Sequence, residues 1–98
     1  MFREDLFKGA RVLVTGGGTG LGRMMAERML ALGASGEIWG RRGPVIEATA
    51  AEMNKAYPGM AHGRAVDIKD PDAVDAAVAA MWAEGRPAPH LINNAAGN

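Results

Sequence analysis

Between Thr15 and Gly22 the chain reads Thr-Gly-Gly-Gly-Thr-Gly-Leu-Gly, five glycines in the seven positions from Gly16 to Gly22. Glycine that concentrated marks backbone that must turn tightly or approach something closely. What flanks it narrows the choice further. Arg11-Val12-Leu13-Val14-Thr15 is a short β-branched run that ends in the glycines, the pattern of a buried strand. Beyond them Leu21, Met24, Met25, Arg28, Met29 and Leu32 recur at helical spacing, and Gly33 supplies a stop. A glycine turn between a strand and a helix N-terminus offers unpaired N–H groups and about half a positive charge, which suits an anion such as a pyrophosphate.

The rest of the chain repeats that alternation. Glu37-Ile38-Trp39 predicts a second strand, closed by Gly40-Arg41-Arg42-Gly43. Pro44 can open a helix at its first position, with Ile46, Thr49, Ala50, Met53 and Tyr57 on its apolar face and Pro58-Gly59 at its end. Ala61 to Val66 predicts a third strand. Asp70-Pro71 reads as an N-cap followed by the first helical residue. Val74, Ala77, Val78, Met81 and Trp82 then mark one helical face. After Gly85 and Pro87-Ala88-Pro89, His90-Leu91-Ile92-Asn93 predicts a fourth strand. The order βαβαβαβ, with right-handed crossovers, implies a doubly wound parallel α/β sheet. Both tryptophans and most of the seven methionines are expected to pack.

Composition removes several functions. Eleven basic residues balance eleven acidic ones, so the basic excess of a nucleic-acid binder is missing. With no cysteine, disulfides, thiolate metal sites and cysteine nucleophiles are excluded. His62 and His90 lack ligand-spaced partners, so no metal site is expected. Met1-Phe2-Arg3-Glu4-Asp5 does not read as a signal peptide, and no apolar run approaches the roughly 18 residues of a membrane span. The expectation is a cytoplasmic protein without a nucleic-acid or membrane partner.

Thr-Gly-x-x-x-Gly-x-Gly differs from the common Gly-x-Gly-x-x-Gly, because Leu21 stands where the last glycine would fall. It resembles the fingerprint of the short-chain dehydrogenase/reductase family. Asn93-Asn94-Ala95-Ala96-Gly97 resembles that family's Asn-Asn-Ala-Gly motif, and Asp67-Ile68 matches the place where the family holds adenine. The resemblance covers essentially the whole chain. It implies a Rossmann-like N-terminal half with strand order 3-2-1-4. It also implies cofactor contacts from Gly16, Gly18, Thr19, Gly20, Leu21, Gly22, Asp67, Ile68, Asn93 and Ala95. Within the family, Arg41, Glu47-Ala48-Thr49-Ala50, Asp70-Pro71-Asp72 and the Asn93–Asn98 segment are closest in wording to the 2,4-dienoyl-CoA reductases. That likeness implies a small-molecule substrate, an acyl-CoA of fatty-acid breakdown, and a full-length protein that forms homo-oligomers. Lys69 is a weaker candidate for meeting the phosphates of a CoA.

Charge speaks to the cofactor. An NAD-preferring site places an acid at the end of strand two, about 20 residues past the glycines, to bond the ribose 2′-hydroxyl. Here that place is Gly40, followed by Arg41 and Arg42. Guanidinium groups pair with a 2′-phosphate, so the expected cofactor is NADP(H), with Arg41 as main contact and Arg42 in support.

The family's catalytic Tyr-x-x-x-Lys pair is not within these residues. The single tyrosine, Tyr57, is followed four positions on by Ala61. Residues 1–98 are therefore expected to be the NADP-binding half of a longer single-domain oxidoreductase, with no catalytic residue of its own. A non-catalytic NADP(H)-sensing module is the alternative. A methyltransferase would want an acid in place of Gly40, and a sugar epimerase more often has an aromatic residue at the position of Leu21.

Overall fold

The computed structural model describes residues 8–16, 18 and 20–93. Within them run β1 (Arg11–Thr15), α1 (Gly20–Ala31), β2 (Ser35–Gly40), α2 (Gly43–Ala56), β3 (Ala61–Ala65), α3 (Pro71–Ala83) and β4 (His90–Asn93). The strands form one sheet ordered β3-β2-β1-β4. All three pairings are parallel: Val14 lies opposite Ile38 and Ile92, and Ile38 opposite Gly63. Parallel neighbours require a crossover, and each crossover here is a helix.

Alternation along the strands sorts side chains to two faces. Val12, Val14 and Ile38 meet Ala26 and Leu30 of α1 and Ile46, Ala50 and Met53 of α2. On the other face Leu13 and Trp39 meet Val66 and Val74, Ala77 and Met81 of α3. Helices thus cover both faces, and the sheet is doubly wound and Rossmann-like, as expected. Val12, Val14, Ile38 and Ile46 are all 1% exposed or less. Each such side chain contributes about 1.5–3 kcal/mol by leaving water.

Asp70 caps α3 as its position suggests. Its side chain accepts from the Asp72 N–H at 3.1 Å, and Pro71 fills the first turn. The apolar face of α2 is also as read, with Ile46, Thr49, Ala50 and Met53 buried. Helix α1 differs. Its buried stripe is Gly22, Ala26 and Leu30, while Leu21 and Met24 are 55% and 49% exposed. Small residues let α1 lie close against the sheet, and small residues carry little hydrophobic signal. A reading weighted by side-chain size therefore selects the neighbouring stripe. Trp39 is buried, but Trp82 is 68% exposed, so only one of the two tryptophans packs as expected among the described residues.

Strand β2 also holds a buried charge. Glu37 is 2% exposed; its Oε2 accepts from Arg64 Nε at 2.7 Å and from Trp39 Nε1 at 2.9 Å. Arg64 continues to Glu84, Nη2 to Oε1, at 2.8 Å, and Arg86 Nη2 reaches the same oxygen at 3.0 Å. Arg64 and Arg86 hold the Glu84 carboxyl down at about 2, from an ordinary 4.5. This ionic chain ties β2 and β3 to the end of α3.

Candidate nucleotide-binding site

The carboxyl ends of β1, β2 and β3 open on one cleft of about 240 Å³. Its floor comes from the glycine turn. The Gly16 N–H donates to the Trp39 carbonyl at 2.8 Å, which carries the β1–β2 ladder one residue past Thr15. Gly16 and Gly20 adopt φ of 69° and 62°, left-handed values that a side chain resists. The turn therefore needs glycine at both ends. It delivers the chain to the start of α1, whose first turn holds no acid, so nothing there offsets the positive end of the helix.

One wall is the β2–α2 junction. Gly40 ends β2; Arg41 and Arg42 follow it and line the cleft. Arg42 is the N-cap of α2 and makes no side-chain cap bond. Every ion pair among the described residues uses Arg23, Lys55, His62, Arg64 or Arg86 as its cation. Arg41 and Arg42 are exposed and take no part in those pairs. Two guanidinium groups thus border the cleft without an ion-pair partner among the described residues.

The opposite wall follows β3. Val66 donates its N–H to the Gly40 carbonyl at 2.8 Å, and Asp67, Ile68 and Lys69 then line the cleft. Asp67 is also a turn residue, since its Oδ1 accepts the Lys69 N–H at 2.9 Å. The turn sets the carboxylate at the rim and leaves Ile68 38% exposed.

The structure thus brings Gly16, Gly18, Arg41, Arg42, Asp67 and Ile68 to one opening. Gly20, Leu21 and Gly22 form the beginning of α1, and Gly22 is buried, which fits a role in helix packing. Asn93 ends β4 beside Thr15, whose Oγ1 donates to Asn93 Oδ1 at 2.8 Å. It joins β4 to β1 on the far side of the glycine turn from Arg41. Thr19 and Ala95 lie outside the described residues. Tyr57 is the C-cap of α2 and packs, partly buried, against the core.

Sequence reasoning missed Thr49 as a site residue. Its buried hydroxyl lies 2.9 Å from the Gly18 carbonyl and 2.8 Å from the Val45 carbonyl, so its one proton is shared between the glycine turn and α2. No local signal could have found this, because Thr49 and Gly18 are 31 positions apart.

Strand order 3-2-1-4 with a glycine turn at its centre defines the Rossmann-like class of nucleotide-binding fold. Within that class the chain belongs to the short chain dehydrogenase family, whose sequence model matches residues 10–98. It is 40% identical, over its whole length, to a Caenorhabditis elegans protein named probable 2,4-dienoyl-CoA reductase 3, and covers 32% of that protein. Among solved structures it resembles the citronellol catabolism dehydrogenase AtuB of Pseudomonas aeruginosa PAO1, at 40% identity and a TM-score of 0.84; the match covers 93% of this chain and 38% of that one. It also resembles Pseudomonas aeruginosa RhlG, solved as an active-site complex with NADP, at 28% identity and a TM-score of 0.84. That match covers 96% of this chain and 37% of the other. The chain thus spans about a third of the length of the curated relatives it matches. Among the described residues, no helix is long and apolar enough to cross a membrane.

Proposed function

We propose that the cleft binds the adenosine end of NADP(H), and that the protein carrying this chain is an oxidoreductase acting on an enoyl or carbonyl substrate, an acyl-CoA by preference. The observation that carries the cofactor is the pair Arg41 and Arg42, which border the cleft outside every ion pair among the described residues, beside a Gly40 that offers no acid. A 2′-phosphate takes charged hydrogen bonds from such groups, whereas a 2′-hydroxyl gains little from them. The volume suits a nucleoside phosphate, being smaller than the ~300–1,000 Å³ that encloses a larger ligand.

Each residue then has a task. Gly16, Gly18, Thr19, Gly20, Leu21 and Gly22 bring the pyrophosphate against the start of α1. Asp67 and the Ile68 backbone would hold adenine, and Asn93 and Ala95 are the candidates for contact with the cofactor ribose. NADPH, when bound, supplies the hydride. The tyrosine and lysine that handle the substrate proton belong to a further part of the protein, and these residues supply its nucleotide-binding half. Support for an acyl-CoA comes from the relatives named 2,4-dienoyl-CoA reductase, each 40% identical.

The test is a titration of the full-length protein with NADPH and NADH. Hydrogen bonds to a charged partner are worth about 1.5–3 kcal/mol, so Arg41→Ala is expected to weaken NADPH binding about tenfold or more and leave NADH nearly unchanged. Equal losses for both cofactors would remove the assignment. Oxidation of NADPH on adding a 2,4-dienoyl-CoA, against a simple ketone, then tests the substrate class. Tight NADPH binding without turnover of either would point to the sensing module.

A further inference from the structure

Ile46 is 1% exposed in the first turns of α2, and glycines from three separate elements close around it. A Cβ on Gly18, in the β1–α1 turn, would stand 3.1 Å from Ile46 Cδ1. One on Gly40, at the end of β2, would stand 2.7 Å from Cδ1 and 2.9 Å from Cγ1. One on Gly63, in β3, would stand 2.7 Å from Cγ2 and 2.9 Å from the Ile46 carbonyl oxygen. Separations below about 3 Å lie well inside the optimum of roughly 3.5–4.0 Å between carbon atoms. The three missing side chains are therefore the socket into which Ile46 fits. Through that socket α2 rests against β2, β3 and the glycine turn at once.

Gly40 is also the position whose side chain, in an NAD-binding site, would be the acid on the ribose. Here an acid could enter only by displacing Ile46. Side chains at Gly18 or Gly63 would crowd the same isoleucine, at Cδ1 and Cγ2, so the space Ile46 fills is the space these three glycines leave. We propose that Ile46 is a specificity-determining residue: by filling the socket it keeps position 40 free of any side chain, so that selectivity against NADH is set by helix packing as well as by the arginines. Ile46 also lines the cleft, so its displacement would disturb the cofactor's own seat. The proposal rests on the NADP(H) reading above.

The experiment is a set of full-length variants titrated with both cofactors and melted. Gly40→Asp alone is expected to lower the melting temperature, weaken NADPH about tenfold or more, and gain no affinity for NADH. Gly40→Asp with Ile46→Ala is expected to bind NADH about tenfold more tightly than Gly40→Asp alone. Ile46→Ala by itself removes part of the cleft lining without placing an acid at position 40, so it should weaken NADPH and NADH alike; a selective loss of either would overturn the proposal. A Gly40→Asp protein that gains NADH affinity at an unchanged melting temperature would overturn the proposal while leaving the NADP(H) reading intact. So would a double variant that gains nothing. A wild-type protein that binds NADH as tightly as NADPH would overturn the NADP(H) reading itself.

Should Gly40→Asp not fold, Gly40→Ala in the Ile46 and Ile46→Val backgrounds tests the packing on which the proposal rests. The added methyl should lower the melting temperature more when Ile46 keeps its Cδ1. Equal drops would overturn the proposal.

Discussion

Single residues in this chain divide by what they would contact. Arg41 and Arg42 are exposed at the end of β2 and line the cleft, and on the proposed reading they set which cofactor is preferred. Thr49 faces inward and bears on the shape of the turn. Its hydroxyl serves two carbonyls, Gly18 and Val45, at 2.9 and 2.8 Å, and a neutral hydrogen bond of this kind is worth about 0.5–1.5 kcal/mol. Thr49→Val is therefore expected to weaken NADPH and NADH alike, by roughly twofold to tenfold, and Thr49→Ser to restore both. The Arg41→Ala protein should lose NADPH selectively. Paired titrations separate the two roles, because a positioning bond cannot distinguish a phosphate it does not touch.

At the scale of elements, β2, β3 and α3 are joined by an ionic chain as well as by apolar packing. Glu37 is buried, and one of its oxygens, Oε1, has no partner among the described residues. Its charge is thus tolerated chiefly through Arg64 and the Trp39 indole. Removing one partner of a buried pair leaves the other uncompensated, so Arg64→Ala is expected to destabilise the protein by about 3 kcal/mol, read by chemical denaturation. Glu84 acts at the exposed end of the same chain. Its carboxyl sits at about 2 instead of 4.5 because Arg64 and Arg86 hold it. A depressed carboxyl contributes stability above its unfolded value that is lost as pH falls through its folded value. Acid unfolding should therefore sharpen between the 4.5 and the about 2 of that carboxyl, and Glu84→Gln should flatten the stability profile in that window and leave its neutral limb unchanged in slope.

Taken as a whole, the sheet carries α1 and α2 against one face and α3 against the other. Beneath α1 and α2 the core is closed, whereas beside α3 an apolar groove runs along Leu13, Val78, Met81, Trp82, Pro87, Ala88 and Pro89. Trp82 is 68% exposed there, and Leu91 on β4 is 62% exposed. On the proposal that these residues are the nucleotide-binding half of a longer domain, the groove is where the remaining fold is seated. Expressed as residues 1–98 alone, the chain is expected to bind an apolar dye and to self-associate, and the full-length protein to do neither. Equal dye binding by the two would sink that reading.

Local chemistry was enough to read much of this protein. Strand β1 ends where its β-branched run meets glycine, α3 begins where Asp70 can cap and Pro71 can follow, and Arg41 lines the cleft at the end of β2. Each is a statement about neighbours in the chain, and periodicity or steric preference expresses it directly. Three features lay beyond that reach. The buried stripe of α1 depends on how closely that helix meets the sheet, which Gly22 and Ala26 permit but do not announce. Glu37 looks like a solvent-facing strand residue until Arg64, 27 positions later, is folded beside it. Gly18, Gly40 and Gly63 look like three unrelated turn or strand glycines until α2 sets Ile46 among them. Pairing across distance is a property of packing: it depends on which surfaces meet, and those surfaces exist only once the sheet has brought its strands into register.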